Sequence, residues 1–192
     1  MPNTMIHEKV GFEIGKRIHK NSYDYYLGLL APDAPNLDGF APKEERWRAH
    51  QRKKNRKEWR ENLNFFYEKV KKEYPEDFLL GYYIHILTDI IYDDFLYDEV
   101  REEIEKTISH EEAHDAMRED MDKYYFEEIE EIRNCLKEQN KSYAILNISK
   151  EKLDMWKEKE VSVWKHSNTS RYITEKVVKK LEEKVYEELV NQ

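Results

Sequence analysis

The chain has 192 residues, enough for one sizeable domain with a buried core, and 39% of them are charged against roughly 25% in an ordinary soluble protein. Five Gly and five Pro exclude a collagen-like or Pro/Gly-rich chain, and 13% aromatic residues exclude a wholly disordered one. The net charge of −8 argues against a general nucleic-acid or anionic-membrane binder, and a single cysteine, Cys135, excludes a disulfide framework or a four-cysteine zinc site.

Residues 1–20 carry charges at short intervals and so lack the apolar core of a signal peptide. The longest uncharged stretch in the apolar part of the chain, residues 78–88, is far short of the ~20 residues that span a bilayer. A cytoplasmic protein without a transmembrane segment is expected. From Thr4, a plausible N-cap, Ile6, Val10, Ile14 and Ile18 recur every four residues and predict a helix to about residue 20. His7 lies on it, with Gly11 and Gly15 following at four-residue steps. Glycine costs ~1 kcal/mol relative to Ala in a helix, so the pair points to close approach of another element. Tight packing around a satisfied core histidine explains it equally. His19 at the helix end suits a dipole partner.

An aromatic segment over residues 23–30 leads into a loop at residues 31–39, where Pro32 and Pro35 hold Asp33 between them. Such a loop presents a carboxylate rigidly, to a metal or as a base, although Asp is also an ordinary turn residue. A basic helix over residues 44–74 follows, ended by Pro75, with Trp47, Trp59, Leu63, Phe66 and Val70 on its apolar side. Between Lys43 and Arg60 the chain places nine Lys/Arg against three Glu. This is either a solvated face or a surface for a phosphate-bearing ligand, with Arg46, Lys53 and Lys54 as the candidate phosphate contacts. His50 is its only histidine, a serviceable metal ligand when neutral.

Residues 78–97 are apolar nearly all round and predict a central buried helix. His85 and Asp89 sit inside it at i,i+4, on one face, a spacing that suits two ligands to one cation. An unpartnered carboxylate there would cost several kcal/mol, so Asp89 should face a metal, a cation or strong donors. Hydrogen bonding between the two, or to a neighbouring helix, is the alternative. Gly81, one turn earlier, leaves room for another helix or a bound species.

The chain then turns acidic, with Val100, Ile104 and Ile108 on one face and Met117 to Leu136 continuing a helical rhythm. His110, Glu111 and His114 match the two-histidine metalloprotease pattern, but their neighbours are mostly charged and no third ligand follows closely. A solvated helix face accounts for them; a second metal position is the weaker reading. Residues 140–149 read as a connection with a short extended piece at 143–146, His166 as a loop histidine, and a final helix begins near Ser170.

Taken in order, His7, then Leu27-Gly28-Leu29-Leu30-Ala31-Pro32-Asp33, then His50, then Leu80-Gly81-Tyr82-Tyr83-Ile84-His85 through Asp89, resemble the zinc-dependent phospholipase C family, which shares its helical fold with fungal single-strand nucleases. The similarity covers about the first half of the chain. It implies that His7, His50, His85 and Asp89 are metal ligands and that Asp33 is a ligand or the base that activates water. The family places a further ligand soon after the His-x-x-x-Asp helix; no histidine stands there, and Asp93 could substitute, with His110 and His114 as other second-site candidates. The expected fold is therefore all-α, a single-domain multi-helix bundle of residues 1–192 around a buried central helix and phospholipase C/nuclease-like. The expected function is a hydrolase acting on a phosphodiester or related phosphate ester with one or two divalent ions, zinc foremost. A helical scaffold or partner-binding protein with a degenerate metal site is the alternative.

Overall fold

The computed structural model describes residues 2–162 and 167–191. Among these residues it is all-α, without a strand; an antiparallel bridge between Ile145 and Ile148 is all that forms of the extended piece expected at 143–146. No helix among them is long and apolar enough to cross a membrane.

Helix α1 (Thr4–Ile18) is capped by Asn3, whose side chain accepts from the Ile6 amide, and not by Thr4. It ends at His19 in the left-handed region, φ 58°, so His19 is a C-cap. Helix α2 (Tyr23–Leu30), capped by Ser22, runs without a break into tight 3-10 turns at Ala31–Asn36, where Pro32 occupies the first turn and needs no amide partner. The expected loop is thus helical backbone that follows α2 directly.

The basic stretch is not one helix. Helix α3 (Lys43–Ala49) closes at His50, Gln51 takes a left-handed φ of 51°, and Asn55 caps a new helix α4 (Arg56–Val70) by accepting from the amides of Lys57 and Glu58. A residue at positive φ ends a helix as effectively as proline does. The break brings His50 to a helix end, where its carbonyl accepts from Trp59 Nε1 at 2.8 Å.

Helix α5 (Glu76–Ile91) is the central one, buried at every position from Phe78 to Ile91 except Leu80, and it packs against α2, α1, α4 and the C-terminal helix. Gly28 on α2 and Gly81 on α5 make the α2–α5 contact: a Cβ on Gly81 would collide with the Tyr25 carbonyl, and one on Gly28 with the Phe78 carbonyl. The room left by Gly81 is filled by a helix. Beyond Ile91 the helix widens into a π-type turn, Tyr92–Leu96, before α6 (Tyr97–Glu105). Helices α7 (His110–Met121), α8 (Ile129–Lys137), α9 (Lys150–Ser162) and α10 (Glu175–Val190) complete the shell. One continuous buried cluster takes residues from all ten.

Candidate metal centre

Five side chains from four elements meet beside α5. His7 comes from α1, Asp33 from the 3-10 turns, His50 from the end of α3, and His85 and Asp89 from consecutive turns of α5; all five are buried. Their assembly follows from the local folding already described. The α2 backbone lies close on α5 at Gly81, one turn before His85, and the Leu29 carbonyl fixes the His85 ring through Nδ1 at 2.7 Å. The Arg46 carbonyl does the same for His50 Nδ1 at 2.9 Å. A carbonyl only accepts, so both Nδ1 atoms carry protons and, in the neutral rings, both Nε2 atoms present lone pairs inward, an orientation that metal-ligating histidines use; without a cation His50 Nε2 carries its proton toward Asp33 instead.

The inward distances are short. His85 Nε2 lies 3.3 Å from His50 Nε2, His7 Nε2 3.3 Å from Asp89 Oδ1, and His50 Nε2 3.5 Å from Asp33 Oδ1 and 3.6 Å from Asp89 Oδ2. The His7 and His85 rings stack with centroids 3.6 Å apart. Both nitrogens of His7 and both oxygens of Asp89 are buried without a hydrogen bond. Buried polar atoms are rarely left in that state, and four in one cluster make it a candidate cradle for a cation. Ligand atoms of His7, His85 and Asp89, and of Asp33, His50 and His85, lie within 4.8 Å of one another in each group, so these side chains could hold a metal ion.

The electrostatics agree with a cation site. Burial alone would raise the Asp33 pKa, but bonding to His50 and the charges of His85, His50 and His7 hold it well below the usual carboxylate range. Asp89, against the same burial, is lowered to about 2 by His7, then His50 and His85. His85 is lowered to about 3, by burial first and by the neighbouring His7 next, so it stays neutral and available as a donor at physiological pH. His50 is raised despite burial, through its hydrogen bond to Asp33 and the charges of Asp89 and Asp33.

Asp33 also reaches outward. It accepts from Thr4 Oγ1 at 2.9 Å and lines a cavity of about 720 Å³. Four guanidinium groups, from Arg46, Arg52, Arg56 and Arg118, share that lining. Arg52 pairs with Asp93 at 2.7 Å and Arg56 with Asp94 at 3.2 Å, two carboxylates that the widened turn after α5 projects toward the basic segment. Arg46 lies with its Cζ 3.7 Å from the centre of the Phe40 ring, and Arg118 lies 5.1 Å from the same ring. Burial, Arg118 and Arg52, in that order, lower the Arg46 pKa.

The remaining candidates fall elsewhere. Lys53 and Lys54 are exposed and outside the cavity lining, which takes Arg52 and Arg56 from the same basic run instead. Asp93 is engaged by Arg52. His110 is exposed and bonded to Glu105 at 2.7 Å, while His114 is exposed on the cavity rim beside Asp115. Among the described residues neither histidine joins a group of metal ligands. His166 lies outside the described residues. Sequence reasoning singles out neither Arg52 nor Arg56, nor Arg118, which comes from α7 and whose signal is a cation amid the acidic run. Comparison of the chain with protein-family models, with curated proteins and with solved structures found no match.

Proposed function

We propose that the protein is a metal-dependent hydrolase of a phosphodiester or related phosphate ester. The observation that carries this reading is one juxtaposition: Asp33 belongs to a buried cluster of three imidazoles and two carboxylates, and it also lines a cavity edged by arginines. Imidazole and carboxylate donors suit zinc or a similar divalent transition ion. Such an ion supplies Lewis acidity and a bound water whose pKa falls toward ~7.

The chain's own residues divide the remaining work. An ion would be held by His7, His85 and Asp89 or by Asp33, His50 and His85, with the Leu29 and Arg46 carbonyls fixing the rings of His85 and His50. The free Nε2 of His85 serves one ion, since its Nδ1 is committed, so the two overlapping groups of ligands compete for it. Asp33 shares one group of potential ligands with His50 and His85, which favours the ligand role for it over proton abstraction. Thr4 fixes its outer oxygen. Arg46, within the cavity, steadies a phosphoryl oxygen, and the neutral walls of Tyr97 and Met117 leave space for the organic part of an ester.

The test is turnover of bis(4-nitrophenyl) phosphate after reconstitution with zinc, manganese or nickel. Loss of a partner that merely orients a metal ligand costs 10–100-fold, so losing a ligand in Asp89→Asn should lower the rate by about 100-fold or more. Equal rates for wild type and Asp89→Asn would remove the cluster from the chemistry and leave the scaffold reading.

A further inference from the structure

We infer that Arg46 and Arg118, gathered on the Phe40 ring, form a phosphate-binding subsite at the mouth of the cavity, and that Lys53 and Lys54 take no part in it. The subsite's place in turnover rests on the hydrolase reading above; its affinity for phosphate does not.

Among the described residues neither Arg46 nor Arg118 has a carboxylate within ion-pair distance, although the chain carries 41 acidic residues and Arg52 and Arg56 beside them are both paired. The carboxylates of the same cavity are engaged: Asp33 by Thr4 and His50, Asp93 by Arg52, and Asp122 by Asn3. The two distances to the Phe40 centroid laid end to end keep the guanidinium carbons within about 10 Å, one Debye length at 0.1 M salt, so their repulsion is not screened away. Two like charges facing one concave space are stabilised by an anion held between them. Guanidinium offers paired N–H donors matched to phosphate oxygens.

Phe40 itself points the same way. It is 68% exposed, on a turn where Gly39 takes a φ of 113°, and its ring contacts with the two guanidiniums are what the exposed aromatic provides. Arg46 is held further by its Nε–H, which donates to the Ala41 carbonyl at 2.9 Å. Arg46 is therefore positioned before any ligand arrives, and Arg118 stands over the same ring. Met117 and Met121, one turn apart on α7, and Tyr97 give the same cavity an apolar wall. The ligand class is a phosphate ester whose organic part rests on that wall.

Calorimetric titration of the full chain, chelator-treated and at constant ionic strength in chloride, reads the subsite without metal. Inorganic phosphate should bind saturably, with affinity at least tenfold weaker in Arg118→Gln and unchanged in the Lys53→Gln/Lys54→Gln double variant. Phenyl phosphate should bind more tightly than inorganic phosphate. Arg118 is exposed, so the variant should keep its fold, which circular dichroism checks. Absence of saturable phosphate binding, wild-type affinity in Arg118→Gln, or equal affinity for the two phosphates would overturn the assignment. Missing turnover with phosphate binding intact would instead sink the hydrolase reading alone.

Discussion

His50 and His85 face each other through Nε2 atoms 3.3 Å apart while both Nδ1 protons are committed to backbone carbonyls. A proton or a metal cation between them removes the clash of lone pairs, and Asp33 and Asp89 supply the compensating negative charge. Replacing one ligand should therefore be felt in metal affinity more than in fold: His85→Ala is expected to lower zinc affinity by about 100-fold or more, as competition with a chromogenic chelator would show. Unchanged affinity would mean that the ion, if bound, sits elsewhere. The five residues are legible in the sequence because each is out of place: His85 and Asp89 in an apolar helix, Asp33 between prolines, His7 beside two glycines, His50 alone among cations. Their convergence is not legible, because periodicity assigns a face to each helix and says nothing about which faces meet.

At the scale of elements, the site depends on how closely α2 lies against α5. Gly81→Ala would drive a methyl group into the Tyr25 carbonyl, and backbone does not yield as a side chain does. Such overpacking costs typically 1–3 kcal/mol and sometimes more, so urea denaturation of Gly81→Ala should show a loss of about 3 kcal/mol. The start of α5 is tied to the preceding helices by Asp77, which accepts from Lys20 Nζ at 2.6 Å and Ser22 Oγ at 2.5 Å. Burial opposes ionisation there, but these partners lower the Asp77 pKa below its ordinary value. Its contribution is present above the unfolded carboxylate pKa and disappears as pH falls through the depressed folded one. Asp77→Asn should therefore cost about 1 kcal/mol at neutral pH and nothing once that pH is passed; a gap that persists in acid would contradict this. The all-α class and the central helix are readable from hydrophobic patterning. The break between α3 and α4 is not, because its positive-φ residue is Gln51 and not glycine, and α9 escapes notice because Leu153, Trp156 and Val161 make a weak stripe.

On the scale of the whole molecule, the charge excess proves to be organised. Of the cations of the basic segment, Arg52, Arg56 and Arg60 close on the acidic turn after α5, and Arg46 is gathered by Phe40 with Arg118 from α7. That pairing of distant segments around one cavity has no trace in local sequence. An ion held in either group would also cross-link elements distant in sequence, α1 to α5 or the 3-10 turns and α3 to α5. At a free concentration 100-fold above its Kd it stabilises the fold by about 2.7 kcal/mol, so chelation should lower the melting temperature by roughly 5–10 °C in a chain of this size. The most direct measurement is elemental analysis of the purified chain after growth with zinc, manganese and nickel. Near-stoichiometric metal that is lost in Asp89→Asn and kept in a His110→Ala/His114→Ala double variant is the predicted result. Trace metal in wild type, or metal that survives in Asp89→Asn and leaves with His110 and His114, would contradict the account.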